Sequence, residues 1–349
     1  MDLRWSAYDL AWGELLVQRF GAASSDRRLA SWDEGGIAAA VLPEGNRPVA
    51  DPSRAMIAMQ VLGHVLATEL PAETLVMAAH LLPGREGEAL FTGGRLKPER
   101  PTAVAWVGRG TDYSFLMRST ASSRGWRLSG VAPIVADINH AKSVLIGGRC
   151  GGQAQLFCLP LRAEGLSRRT FRTITGGEAA EIAINDVYAD KRWLVATGDP
   201  VERAMRKAIA VATTLACARA CGMMRYLLEA TVGYLRERKQ FGRALAEFQV
   251  LQRRAVDMLI EIELAEAATL RAILSLQLTE QEQALTVAAA KVTVSNSARF
   301  VGQNAIQLHD GKGMDARTPI TAYFRALTSF ELSFGFASQH LERLAAVEA

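Results

Sequence analysis

The stretch that decides the fold of this chain is Tyr234-Leu-Arg-Glu-Arg-Lys-Gln-Phe-Gly-Arg-Ala-Leu-Ala-Glu-Phe-Gln249. A long helical pattern runs into it, Phe241-Gly242 interrupts that pattern, and a second helical pattern follows. Arg238 lies just before the break, and its guanidinium can make two parallel hydrogen bonds to a diphosphate. Because Gln240, Phe241 and Gln249 lie beside it, the break predicts a corner that holds a phosphorylated planar cofactor.

The same break separates the first two of four long helical patterns. They lie near 200–238, 246–277, 280–304 and 318–348. The links between them are short, and alanine-rich runs allow helices to approach one another closely. Long helices with short links predict an antiparallel four-helix bundle over residues 198–349.

Short β-prone runs replace the helical patterns between residues 99 and 197, and they predict a middle antiparallel β domain. Within it, Trp126–Gly130 followed by Val131–Val135 predicts a hairpin. Residues 1–98 carry short amphipathic helices that prolines begin or end, which predicts an N-terminal helical domain. The sequence therefore predicts a mainly α chain with an inserted β domain: 1–98, 99–197 and 198–349.

Composition and cysteine spacing predict a cytoplasmic enzyme. Forty Lys and Arg against 36 Asp and Glu give +4 spread along the chain, which argues against a nucleic-acid partner. The start lacks a secretory signal, and we expect no membrane segment because no apolar stretch approaches the ~20 residues that cross a bilayer. Zinc or redox spacing is absent, so we expect free thiols and no metal site; the cysteines are Cys150, Cys158, Cys217 and Cys221.

A second motif is Gln307-Leu-His-Asp-Gly-Lys-Gly313. Its closely spaced glycines let backbone approach a ligand, and the Gln307 amide can bridge to phosphate. Alone, such a loop is usually the cap and turn after a helix. It therefore indicates a binding site only in combination with the Arg238 segment.

Taken together, these features resemble the acyl-CoA dehydrogenase family over nearly the whole chain. The features are the helical, β and four-helix order, the Arg-x-Gln-Phe-Gly motif with Phe-Gln after it, and Gln-Leu-His-Asp-Gly-Lys-Gly-Met. The resemblance implies FAD between the middle domain and the bundle, and α,β-dehydrogenation of an acyl-CoA thioester. It also implies a homo- or hetero-oligomer, a dimer or tetramer, with electron-transfer flavoprotein as the electron acceptor.

The resemblance assigns residues to a FAD that belongs to a neighbouring subunit. The residues implied to reach it or lie close by are Arg238, Gln240, Phe241, Phe248, Gln249, Gln307 and Gly311. One departure lies among them, because Asp310 stands where the family has the first glycine of a pair. An acidic side chain beside a diphosphate is unfavourable unless it points away.

The larger departure concerns the catalytic base. The family's usual glutamate stands before a glycine, fifteen residues after a proline; counting from Pro319, that position is Phe334, followed by Gly335. Phenylalanine cannot take a proton. A second location that some members use, on the first bundle helix, falls near Ala212, and the adjoining arginine position is Thr213.

The middle domain departs from the family as well. Where members carry a Thr-Glu-Pro-Gly flavin loop, this chain has Trp106–Tyr113, and the Trp-Ile-Thr flavin strand is replaced by Ile134-Val135-Ala136. The hydroxyl and indole that would line the flavin are therefore missing.

These departures leave three interpretations open. In the first, the chain is the base-less subunit of a heteromeric acyl-CoA dehydrogenase, of the kind found in bacterial breakdown of steroid side chains and rings, and its substrate is a steroid-type or other bulky acyl-CoA. In the second, it is a self-sufficient dehydrogenase with a relocated base, for which Glu331 is the candidate. In the third, it is a non-catalytic homologue that keeps the bundle as a scaffold. The catalytic residue remains unassigned.

Overall fold

The structure is a computed structural model that describes residues 11–16, 18, 36–44, 47–67, 72–82, 91–92, 95–96, 102–105, 108–109, 112–113, 117–136, 138 and 141–348. Helices, then strands, then long helices follow one another along the chain, which confirms the predicted fold class. The chain divides into two compact units, Met1–Arg28 with Asp51–Ala67 and Thr213–Ala349, and Leu29–Ala50 with Thr68–Ala212. The predicted domain boundaries stay a prediction.

A sheet of eight strands forms the described core of the second unit. The strands are β3 (Thr102–Ala105), β6 (Met117–Ser122), β7 (Gly125–Ala136), β8 (Ser143–Cys150), β9 (Gln153–Pro160), β10 (Leu166–Arg172), β11 (Glu178–Asp190) and β12 (Leu194–Thr197). Their order is β10-β11-β7-β6-β8-β9-β12, and β3 pairs with β8. Most neighbours are antiparallel as expected, but β8 runs parallel to β3 and β6, so the sheet is mixed.

Shorter elements accompany this sheet. Two small antiparallel pairs are β1 (Phe91–Thr92) with β2 (Arg95–Leu96), and β4 (Gly108–Arg109) with β5 (Asp112–Tyr113). Among the residues that the structure describes, the helices of this unit before the sheet are α1 (Ile37–Val41) and α3 (Ala72–Leu81).

The predicted hairpin at Trp126–Val135 is wrong, because these residues lie in the single strand β7. Buried and exposed side chains alternate along most of it, and β7 pairs with β11 on both sides of Gly130. A shift in that pairing lies beside Gly130, where Ile184 pairs with it, which is the irregularity that a strand glycine marks. The hairpin instead joins β6 to β7, with Ser122 opposite Gly125.

The first unit contains the bundle. In this unit Asp51 caps helix α2 (Pro52–His64) by accepting a hydrogen bond from the Arg54 amide at 3.1 Å. The long helices are α4 (Asp199–Glu237), which begins in the second unit, and α5 (Gln249–Ser275), α6 (Glu280–Leu308), α7 (Pro319–Leu332) and α8 (Ala337–Glu348). The predicted fourth segment, 318–348, is therefore two helices, and the break between them contains Phe334. Buried side chains of α4, α5, α6 and α7 form one apolar core.

Helices α2 and α4 cross at two glycines. A Cβ built on Gly222 would lie 1.8 Å from the Gln60 carbonyl oxygen, and one on Gly63 would lie 1.9 Å from the Arg219 carbonyl oxygen. No side chain fits at either position without moving a backbone, so the glycines set the separation of the two helices.

The expectation that no apolar stretch approaches the length that crosses a bilayer is wrong for helix α4. Among the helices that the structure describes, it is long and apolar enough to cross a bilayer by length and composition, with a mean hydropathy of 1.2 in one window. Inside the protein, 83% of that window is buried. A buried core helix passes the same test, so the window is weak evidence for a membrane segment.

The cysteines are free thiols, as expected. Cys217 and Cys221 are buried on α4, and the Cys221 Sγ lies 3.6 Å from the Thr269 hydroxyl on α5. Burial raises the pKa of the Cys217 thiol to about 12. Cys150 and Cys158 are half-buried.

Candidate functional site

The break after α4 is a tight β-hairpin. Helix α4 ends at Glu237, and Lys239–Gln240 pairs with Arg243–Ala244. The two residues at the tip, Phe241 and Gly242, have φ of 52° and 80°. A two-residue turn whose twist matches its strands needs positive φ at both positions, which explains the glycine. Arg238 lies one helical turn beyond Tyr234, because its amide donates a hydrogen bond to the Tyr234 carbonyl oxygen at 2.9 Å.

The hairpin presents its predicted cofactor residues outward. Arg238, Gln240 and Gln249 are exposed. Phe241 is 88% exposed, and its ring meets the half-buried Phe248 ring edge-on with centroids 6.3 Å apart. The Arg243 guanidinium lies 4.0 Å from the Phe248 ring centroid on the same hairpin. Such a large exposed aromatic beside an arginine and amides is a surface suited to a planar, charged ligand.

The second motif forms the end of α6 and a short 3-10 helix, Asp310–Met314. Gln307 and Gly311 are exposed there. Asp310 has φ 53°, a conformation in which glycine is unstrained and aspartate is tolerated. A Cβ on Gly313 would lie 2.4 Å from the Ile306 carbonyl oxygen, so this position requires glycine.

Ring stacking joins the two motifs. The Tyr234 ring stacks on the His309 ring with centroids 4.6 Å apart and planes 25° apart. The Lys312 ammonium lies 5.7 Å from the centroid of the same Tyr234 ring. The structure therefore brings the Arg238 hairpin and the Gln307 loop together. We call this pair of segments, Arg238–Gln249 and Gln307–Gly313, the outward clamp.

No sequence pattern marks Tyr234 and His309 as partners, although both lie inside the motifs. Tyr234 precedes Arg238 by four residues and His309 follows Gln307 by two. These offsets place each ring at a helix end, a relation that becomes visible only when the helix ends are known. The cofactor roles of the seven clamp residues remain predictions.

The side chains of the clamp, in the first unit, suit a flavin, whereas those of Ile134 to Ala136, in the second unit, do not. The clamp carries the cationic, aromatic and amide groups that FAD requires. In strand β7, Ile134 is exposed, Val135 is buried and Ala136 is half-buried, and none has a hydroxyl or indole. Of Trp106–Tyr113, only Gly108–Arg109 and Asp112–Tyr113 are described, as the small β4–β5 pair; the other four residues lie outside the described part of the chain.

The position of the family's base lies in the break between α7 and α8. Phe334 has φ 57° and Gly335 has φ 93°. Left-handed backbone costs a bulky residue about 1–2 kcal/mol, so the surroundings must hold Phe334 in place. Its half-buried ring packs against the apolar core of the bundle.

Two buried polar side chains brace this turn. His340 Nε2 lies 2.9 Å from the Phe334 carbonyl oxygen and donates to it, which fixes the proton on Nε2. Among the described side chains, His340 Nδ1 is a buried polar atom without a hydrogen-bond partner. Burial lowers the pKa of His340 to about 4, so the ring is neutral. On the other side, Lys291 Nζ donates to the Phe330 carbonyl oxygen at 2.9 Å and to the Glu331 carbonyl oxygen at 3.3 Å.

Neither alternative location offers a free base: the Glu331 carboxylate is hydrogen-bonded to an arginine, and the residues at the second location have no carboxylate. Glu331 Oε2 accepts hydrogen bonds from Arg299 at 2.8 and 3.2 Å. Ala212 and Thr213 are buried in α4, and neither can remove a proton from carbon. Strain and bracing at Phe334 were not readable from the sequence, which showed only that the glutamate is missing.

Comparison with known proteins agrees with this architecture. Residues 201–347 match the family model for the acyl-CoA dehydrogenase C-terminal domain. The chain is 25% identical over 296 residues to acyl-CoA dehydrogenase FadE27 of Mycobacterium tuberculosis, covering 81% of this chain and 77% of that protein.

Two solved structures share the fold. The ChsE4-ChsE5 complex from Mycobacterium tuberculosis superposes with a TM-score of 0.82 at 21% identity, covering 99% of this chain and 98% of the other. A structure described as the Tcur3481-Tcur3483 steroid ACAD G363A variant superposes with a TM-score of 0.81 at 23% identity, covering 98% and 97%. By its family model, the C-terminal part of this chain, residues 201–347, belongs to the acyl-CoA dehydrogenase family, and with the FadE27 similarity the findings support an acyl-CoA dehydrogenase family member, an oxidoreductase acting on acyl-CoA.

Proposed function

We propose that this chain is the base-less subunit of a heteromeric acyl-CoA dehydrogenase. In this role its outward clamp binds the FAD of a partner subunit, and the partner carries the glutamate that removes the substrate proton. One observation carries the proposal: Phe334 occupies the family's base position in a braced, left-handed turn. The clamp meanwhile keeps its exposed arginine, aromatic and amide groups.

The reaction explains why Phe334 matters. Dehydrogenation of an acyl-CoA removes the α-proton, and the base must lie within hydrogen-bond reach of that carbon. FAD, when bound, would supply the acceptor for the hydride that leaves the β-carbon. A general base contributes about 10²–10⁴-fold in rate, and the Phe334 ring has no lone pair to supply it.

The clamp residues divide the work of holding a flavin. The Arg238 guanidinium can form two charge-assisted hydrogen bonds to the diphosphate. Phe241 can stack on a planar ring, and the amides of Gln240, Gln249 and Gln307 can donate to or accept from its polar edges. Backbone at Gly311 can approach closely, because a Cβ there would meet nothing within 4 Å.

The outward direction of these groups favours a flavin bound by another subunit. Phe241 is the most exposed of the large apolar side chains that the structure describes. Exposure of such an aromatic to water is unfavourable, and insertion beside a neighbouring subunit's cofactor would remove it from water. Meanwhile Ile134 to Ala136 offer no polar contact to a flavin of this chain's own.

A self-sufficient enzyme with Glu331 as its base is the less favoured alternative. Arg299 holds the Glu331 carboxylate, and the side chain is mostly buried beside it. Moving this carboxylate to a substrate would break both hydrogen bonds and leave the arginine without its anion. The scaffold interpretation is weaker for a different reason, since a scaffold has no need of an exposed Phe241 and Arg238 at one hairpin.

The similar structures support assembly with a second subunit. Both solved structures described above are named by two components, and one is described as a steroid ACAD. We therefore propose that the partner is another acyl-CoA dehydrogenase subunit and the substrate a bulky, steroid-type acyl-CoA. Electron-transfer flavoprotein as the acceptor and a cytoplasmic location belong to the same proposal.

Co-expression with an acyl-CoA dehydrogenase subunit encoded beside it tests the proposal. We expect the chain purified alone to show no flavin absorbance, and the complex to be yellow and to oxidise an acyl-CoA. Replacing the partner's glutamate with glutamine should abolish this activity, whereas Phe334→Ala in this chain should leave it within about twofold. Flavin and turnover in the chain alone would overturn the proposal in favour of a self-sufficient enzyme.

A further inference from the structure

We propose that Tyr234 and His309 are positioning residues that fix the two segments of the outward clamp relative to each other. The inference rests on the proposed function, because it concerns how the same FAD surface is held in shape. Neither ring is assigned a contact with the cofactor. Each acts through a neighbour, Tyr234 through Arg238 and His309 through Gln307.

The link from Tyr234 to Arg238 is a single helical turn. The Arg238 amide donates to the Tyr234 carbonyl oxygen at 2.9 Å, and the Leu245 amide donates to the Arg238 carbonyl oxygen at 2.8 Å. The start of the hairpin is therefore fixed to the backbone of Tyr234 on one side and to its own second strand on the other. Rotation of the Tyr234 backbone would redirect the Arg238 side chain.

The link from His309 to Gln307 passes through the end of α6. His309 is buried, and its Nδ1 donates to the Ala305 carbonyl oxygen at 2.8 Å. Burial lowers the pKa of His309, and its hydrogen bond to the Ala305 carbonyl oxygen opposes the shift. The ring is thus held to α6 at Ala305, two residues before Gln307.

Stacking of the Tyr234 and His309 rings joins the Arg238 segment to the Gln307 segment. The rings of Tyr234 and His309 lie 4.6 Å apart, within the range of favourable aromatic contacts. Lys312 adds a third contact, since its ammonium lies 5.7 Å from the Tyr234 centroid and belongs to the loop itself. Arg238 and Gln307 are thereby held as one preorganised surface, which lowers the ordering cost of binding.

A double-mutant cycle on FAD affinity distinguishes positioning from general packing. The assembled complex is depleted of FAD and titrated with FAD, using wild type, Arg238→Ala, Tyr234→Leu and the double variant. We expect about 10–100-fold weaker binding for Arg238→Ala and about 5–20-fold for Tyr234→Leu. The double variant should bind within about twofold of Arg238→Ala alone, because Tyr234 acts through Arg238.

Two further variants keep the test valid if Tyr234→Leu fails to fold. Tyr234→Phe preserves ring stacking, so it should retain FAD affinity within about threefold, while His309→Ala, which loses both the stacking and the hydrogen bond to Ala305, should weaken it about as much as Tyr234→Leu does. Additive losses in the cycle, or unchanged affinity in both Tyr234→Leu and His309→Ala while Arg238→Ala binds weakly, would overturn the positioning role. Unchanged affinity in Arg238→Ala would instead overturn the proposed function on which it rests.

Discussion

Arg299 holds Glu331 through two of its nitrogen atoms, with Nη2 at 2.8 Å and Nε at 3.2 Å from the carboxylate Oε2. Glu331 belongs to the last turn of α7, three residues before Phe334. The backbone of the same turn is held by Lys291, whose ammonium donates to the carbonyl oxygens of Phe330 and Glu331. Glu331 is therefore part of the structure that supports the turn.

Replacement of Glu331 by glutamine should leave catalysis by the complex unchanged. Because the Arg299 side chain is 54% exposed, loss of the ion pair should cost less than about 1 kcal/mol of unfolding free energy. Activity and denaturation midpoint of the complex check the two expectations. A fall in turnover of about 10²-fold or more in Glu331→Gln would identify a relocated base.

Glycine-to-alanine substitutions in α4 should have opposite effects at two positions. Gly222→Ala places a methyl group 1.8 Å from the Gln60 carbonyl oxygen, so the α2–α4 crossing must open, at a cost of about 2–4 kcal/mol. Gly233→Ala, where a Cβ meets nothing within 4 Å, should stabilise the helix by up to about 1 kcal/mol. Urea denaturation of the two variants measures the difference; equal midpoints would contradict the close backbone approach of α2 and α4 at Gly222.

Two histidines should make the protein sensitive to mild acid. Burial lowers the pKa of His80 and of His340 to about 4 from a usual 6.5. The unfolded chain binds these protons below pH 6.5 and the folded chain only near pH 4. Stability from neutral rings is therefore complete above pH 6.5 and falls towards pH 4, by at most about 3 kcal/mol per histidine.

Substituting His340 with glutamine removes one of the groups that bind a proton in the unfolded chain but not in the folded chain at mildly acidic pH. The slope of unfolding free energy against pH between 5 and 6.5 should fall by up to about 1.4 kcal/mol per pH unit relative to wild type. His80→Gln provides the matched comparison in the other compact unit. Identical slopes in wild type and both variants would show that the two rings titrate normally in the folded protein.

Phe334 and Phe330 should respond very differently to truncation. Phe330 is buried in the bundle core, and Phe330→Ala should cost about 3–5 kcal/mol. Phe334→Gly loses a half-buried ring but relieves the left-handed backbone, worth about 1–2 kcal/mol, so the net change should be within about 1 kcal/mol. Thermal or chemical denaturation checks both. A large loss in Phe334→Gly would mean that ring packing outweighs backbone strain at this turn.

The fold was largely predictable because its signals are periodic. Four long helical patterns and a run of short strands indicated the class, and Phe241-Gly242 correctly marked the break between two helices. The hairpin at this break, whose two tip residues have positive φ, was not predicted. The errors arose where a residue type occurs in more than one kind of structure, or where a break carries no proline. Gly130 indicated a turn but lies within a strand, and Ser333-Phe334 carries no proline to announce that the last helix is broken.

The motifs of the candidate site could be read from the sequence, whereas the contacts that support them could not, and the cofactor roles of the motif residues stay predictions. The clamp motifs are contiguous in sequence, so their residue types could be read directly. Stacking of Tyr234 on His309, and bracing of the Phe334 turn by Lys291 and His340, join residues that are distant along the chain or separated by a helix break. Such contacts follow from helix packing, which single-residue patterns do not encode.

Flavin retention by the assembled complex after Arg238→Ala measures whether this chain holds a partner's FAD, with Arg236→Ala as control. Both arginines are exposed at the end of α4, so the variants change charge and helix end alike. We expect Arg238→Ala to lose FAD about 10–100-fold more readily, while Arg236→Ala keeps wild-type stoichiometry. Equal flavin content in the two variants would contradict the proposal that this chain clamps the flavin of a partner.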